Sequence, residues 1–141
     1  MSASNGSAVP AAPAARRGIL HAGSLRMIGG GLLLIIGAFT PWVSTPLGNL
    51  SAIAGPGLWL LCAGVIAVAG ALLPHRRVAI AHALVPAAAC GAIVLWQLGT
   101  IAYYSAETAT WGKMLPGAGM VIVGGGVALL LTAARRMYNA S

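Results

Sequence analysis

Hydrophobic positions fall into four long runs separated by short polar interruptions. The first covers about 25–43 and closes on Thr40-Pro41-Trp42-Val43. The second covers 57–73 and is stopped by Pro74-His75-Arg76-Arg77. The third, 78–102, contains no Lys, Arg, Asp or Glu, and the fourth, 115–134, stops at Arg135-Arg136. No run alternates polar and apolar residues as a barrel strand must. About 20 apolar residues in a helix cross the ~30 Å of a bilayer's hydrocarbon, and a helix satisfies its own backbone there. The pattern predicts an all-α fold: an integral membrane four-helix bundle within 18–141. The Ala-, Pro- and Ser-rich tail over 1–17 has no periodicity and is expected to be disordered.

Composition supports that solvent assignment. The 141 residues are 59% hydrophobic and only 6% charged, with a mean hydropathy of +0.90. A soluble domain carries about 25% charged residues because its surface must face water. Arg16-Arg17 loosely resembles a twin-arginine export signal. The long apolar segment after it lacks an A-x-A site, so the pair reads as the positive flank of the first helix.

The basic residues set an orientation. Arg16, Arg17, Arg26, Arg76, Arg77, Arg135 and Arg136 all flank the same ends of the four runs, and Lys113 alone flanks the other. The positive-inside rule then places both termini in the cytoplasm, in a multi-pass protein of a bacterial plasma membrane. Trp42, Tyr103, Tyr104 and Trp111 fall at the outer boundary, where amphipathic rings gather. Arg16, Arg17, Arg76, Arg77, Arg135 and Arg136 are expected to meet anionic headgroups. Topology and lipid account for the net charge of +7, so nucleic acid is not an expected partner.

An internal repeat is also legible. Pro56-Gly57 opens the second run and Arg76-Arg77 follows it; Pro116-Gly117 opens the fourth and Arg135-Arg136 follows it. Proline suits the first helical position, and a basic pair complements the negative C-terminal end. Two hairpins in tandem would give this pattern, and so would two unrelated inward-running helices.

Helices in lipid associate through small residues, because lipid is as apolar as leucine. Candidate packing stripes are Ala63, Ala67 and Ala71 in the second helix, with Gly64 and Gly70 adjacent. The third carries Ala79, Ala83, Ala87 and Gly91, with Ala88 and Ala92 beside them. The fourth carries Gly124 and Ala128, with Gly117, Gly125 and Gly126 nearby. Such surface serves the bundle itself or a partner protein.

Reactive chemistry is sparse. Pro86 removes a backbone donor within the third helix and predicts a kink. His82, an ionisable group within a span, is a candidate for a polar path; only about 7 Å of rise separates it from Arg77, so it reads first as an interfacial residue. Gln97 completes the tentative path, or bridges helices by a hydrogen bond. Glu107 is the chain's one acid, which excludes a carboxylate pair and a Ser-His-Asp set. Paired haem ligands are missing, as is C-x-x-C. Cys62 and Cys90 read as small apolar core residues, and the triple glycines 29–31 and 124–126 lie inside helices, not in phosphate loops. No catalytic residue, metal or cofactor is expected.

Phe39-Thr40-Pro41-Trp42-Val43 at the end of the first helix, a short glycine-containing loop, and Gly55-Pro56-Gly57-Leu58 opening the second resemble small four-helix membrane proteins of high-GC actinobacteria. The resemblance covers the first half of the chain and implies no catalytic residue. By analogy with small subunits of envelope or respiratory complexes, it implies an accessory role. The expected function is therefore a non-enzymatic accessory or scaffolding subunit of a larger plasma-membrane complex. The alternative is a small homo-oligomeric transporter or channel with His82 and Gln97 lining a path and Pro86 as its hinge.

Overall fold

The computed structural model describes residues 23–109, 111–113 and 115–140; the 1–17 tail, with Arg16 and Arg17, lies outside the described residues. The described residues are mostly helical, in four helices joined by short connections, two of them long and apolar enough to cross a membrane.

Helix α1 spans Ser24–Phe39 and stops four residues before the expected 43. Proline disfavours helical geometry in the residue before it, and Thr40 is accordingly extended at φ −86°, ψ 158°. The apolar residues beyond it form a strand. Strand β1, Pro41–Thr45, pairs antiparallel with β2, Gly48–Ser51, through a two-residue turn, with an irregularity between Pro41 and Val43. Gly48 adopts φ +142°, which a side chain would resist. Across the molecule, Val43 and Ser44 pair with β3, Leu115–Pro116, giving the order β2-β1-β3. The all-α expectation is thereby corrected: a small three-stranded sheet closes one end of the bundle.

A single 3-10 turn, Ala52–Ala54, leads to helix α2, Gly57–Ala71. It ends two residues before the expected 73, ahead of Pro74. Helix α3 spans Arg76–Glu107 without interruption at Pro86, and helix α4 spans Ala118–Asn139. Both overrun the apolar runs 78–102 and 115–134 at their charged ends, because arginine is nearly as good a helix former as leucine. Helix α4 begins later than 115 because Leu115 and Pro116 are drawn into the sheet. Neither expected proline occupies a first helical position: Pro56 is the N-cap of α2 and Pro116 lies in β3.

Packing follows a square. Helix α1 lies against α2 and α4, and α3 lies against the same two. Two glycine contacts set the spacing of α1 from its two neighbours. A Cβ on Gly31 would stand 2.8 Å from the Gly64 carbonyl oxygen, and one on Gly64 2.7 Å from that of Gly31. Against α4, a Cβ on Gly30 would stand 2.9 Å from the Gly126 oxygen, and the reverse distance is also 2.9 Å. Consecutive glycines of α1 thus each admit a different neighbouring helix to backbone contact. Met27, Leu34, Leu60, Val123 and Leu130 fill the space between.

Candidate functional site

The interior offers little chemistry. Among the described residues the buried polar side chains are Ser24 and Ser105, and no group of His, Cys, Asp and Glu could hold a metal ion. One terminal guanidinium nitrogen of Arg76 is buried without a hydrogen-bond partner among the described residues.

The expected packing residues divide. Ala63, Ala67 and Ala71 on α2, and Ala79, Ala83 and Ala87 on α3, are buried. Gly91 is half-buried, with an added Cβ in ordinary contact with Val127 at 3.8 Å. Gly124 and Ala128 lie elsewhere. A Cβ on Gly124 would meet open space, and Ala128 is exposed. Close approach on α4 is made instead by Gly126, which meets Gly30, and by Gly119, which meets Trp42.

His82, Pro86 and Gln97 share one side of α3, that facing α2, without converging. The Cβ of His82 abuts Gly70, and its Nδ1 lies 2.9 Å from the Val78 carbonyl. Gln97 sits about 22 Å further along the helix, in an open hollow with Pro56, Ala92, Ile93 and Trp96. Between them is an apolar groove of about 230 Å3 that Pro86, Cys62, Cys90 and Trp59 help to line. Both cysteines are free.

Trp42 points into the protein, unlike the other aromatic residues expected at the outer boundary. It is 3% exposed and its indole donates to the Gly37 carbonyl at 2.9 Å, while the Thr40 hydroxyl donates to the same oxygen at 3.1 Å. Gly37 lies in the last turn of α1, whose carbonyls have no helical partners. The backbone returns the favour to α4, since the Gly117 N–H donates to the Trp42 carbonyl at 2.7 Å. Tyr103, Tyr104 and Trp111 are exposed, the two tyrosine rings edge to face at 5.6 Å.

The feature least visible in the sequence is the outward side of α3. Positions 81, 85, 88, 92, 95, 99, 102 and 106, stepping by four and three residues, are all exposed. They form one seam, because a 3.5-residue period follows a helix face. Six are small: Ala81, Ala88, Ala92, Gly99, Ala102 and Ala106. Large apolar side chains flank the seam, among them Leu84 and Leu98 on one side and Trp96 and Tyr103 on the other, all exposed. On α4, Gly124, Gly125 and Ala128 add small residues that make no close contact within the chain.

No family model, curated protein or solved structure matches this chain.

Proposed function

We propose that this chain is a multi-pass integral protein of a bacterial plasma membrane that serves as a non-enzymatic accessory or scaffolding subunit. In this reading it presents the outward seam of α3 to a helix of a partner membrane protein. Two observations support the membrane setting. The core helix of a soluble protein is mostly buried, whereas the most apolar stretches of α3 and α4 are only 28% and 39% buried. Leu25, Val85, Leu95, Trp96 and Val121 all project outward.

The short helices fit that setting. At 16 and 15 residues, α1 and α2 rise about 24 and 22 Å, less than the hydrocarbon thickness. A bilayer accommodates such mismatch by thinning, at modest cost. Exposed strand β2 then belongs at headgroup depth, since uncovered sheet edges do not occur in hydrocarbon. The arginine-rich ends face the cytoplasm, and kinship with the small actinobacterial four-helix proteins belongs to the same proposal.

The seam carries the choice of function. Lipid tails are met well by leucine or isoleucine, whereas small residues at helical spacing let another backbone approach. Transport through a single chain finds no support in the packing, because leucines close its centre. Purification in mild detergent tests the reading: wild type is expected to carry a stoichiometric membrane partner, and Ala92→Trp to lose it while remaining folded. Recovery of a clean monomer, or of a homo-oligomer whose liposomes conduct solute, would overturn the accessory role.

A further inference from the structure

A groove of about 240 Å3 runs between α3 and α4 at their arginine-bearing ends, walled by Ile80, Leu84, Leu131, Ala134, Arg135 and Tyr138. Among the lining residues Ala134 is buried and small. Arg135 and Tyr138 are exposed at its edge. Arg77 is also exposed and stands one turn before Ile80 on the same side of α3, since residues three and four apart are neighbours on a helix.

We propose that this groove binds one anionic phospholipid, with its phosphodiester against Arg135 and part of one acyl chain along Ile80, Leu84 and Leu131. The inference rests on the membrane reading above. Charge and shape together select the occupant. The chain's one acidic side chain, Glu107, closes the opposite end of α3, so no carboxylate side chain of the protein neutralises the arginines at the groove. A soluble anion would satisfy that charge and leave the apolar walls uncovered. A zwitterionic lipid would cover the walls without a net charge to match the arginines. Basic pockets between membrane helices recognise anionic headgroups by this combination.

The test uses the full chain in mild detergent, titrated with phosphatidylglycerol or phosphatidylcholine and read by native mass spectrometry. One phosphatidylglycerol is expected to be retained in preference to phosphatidylcholine. Arg135→Gln lowers that retention about fivefold, the factor that corresponds to one arginine near an anionic surface. Leu84→Trp, at an exposed position, fills the groove and lowers retention with its charge intact. Arg136→Gln, outside the groove, lowers retention less than Arg135→Gln does. Equal losses in Arg135→Gln and Arg136→Gln would show diffuse surface charge and overturn the site. Competition by inorganic phosphate as effective as that by the lipid would overturn it too, because the acyl contact would then contribute nothing. Failure of the membrane reading registers separately, as full-length protein that stays in solution once detergent is removed.

Discussion

The indole N–H of Trp42 donates to the carbonyl of Gly37 across 2.9 Å, inside the protein. This bond joins the strand that leaves α1 to the last turn of α1 itself, and the same indole ring occupies the space left by the absent side chain of Gly119 on α4. Helix end, sheet and neighbouring helix are thus fixed at one point. A Cβ on Gly119 would come within 2.5 Å of the indole Cδ1 and 2.8 Å of the Thr40 hydroxyl.

Trp42→Phe keeps most of the ring and removes one donor, leaving Thr40 to serve the carbonyl. Thermal unfolding in detergent is expected to show a loss of about 1 kcal/mol. Trp42→Ala adds a cavity and is expected to cost about 3–5 kcal/mol. A Phe variant as stable as wild type would show that the hydrogen bond contributes nothing.

Glycine-to-alanine substitutions are expected to change sign with position. Gly31→Ala and Gly126→Ala force backbones apart, and overpacking of this kind costs about 1–3 kcal/mol. Gly99→Ala and Gly124→Ala meet open space, so higher helix propensity stabilises the isolated chain by up to about 1 kcal/mol each. Melting temperatures of the four variants in one detergent check the pattern, which fails if all four shift the same way.

The two thiols are expected to react differently. Cys62 is exposed beside the α2–α3 groove and Cys90 is buried. A lipid-soluble maleimide added to folded protein in detergent modifies Cys62 quickly and reaches Cys90 only after denaturation. Peptide mass mapping reads the order, and equal rates would mean that α2 and α3 separate readily.

Orientation can be read from two engineered cysteines in a variant lacking Cys62 and Cys90. Leu47, wholly exposed at the β1–β2 turn, is placed outside the cell, and Asn139, at the end of α4, inside. A membrane-impermeant maleimide is expected to label Leu47→Cys in intact cells and Asn139→Cys only after lysis. The reverse pattern would invert the topology.

The four helices were legible because each apolar run is long and free of alternation. Their ends were less so. The run 25–43 remains apolar through Trp42 and Val43, so hydropathy alone carries the first helix across Pro41; the rule that a residue before proline leaves helical geometry locates the stop at Thr40. The sheet left only a faint trace, β-branched Val43 and Thr45 followed by the turn at Gly48. Arginines 76, 77, 135 and 136 end the hydrophobic pattern but not the helices, since their propensity is high. Small-residue spacing marks stripes in the sequence without giving their direction. Ala83 and Ala88 are alanines of the same apolar run, yet one faces the core and the other faces out. Helix α3 is apolar all round, so only contact with α2 and α4 distinguishes its sides. The burial of Trp42 has no sequence signature, because its partner is a backbone carbonyl five residues earlier.

Partition of the full-length protein between membrane and water tests the central claim most directly. Membranes from expressing cells are washed at alkaline pH and sedimented, and the chain is followed by immunoblot. The apolar exterior of α3 and α4 predicts that the protein stays in the pellet and is released by detergent alone. A folded, monodisperse protein in the detergent-free supernatant would contradict the account.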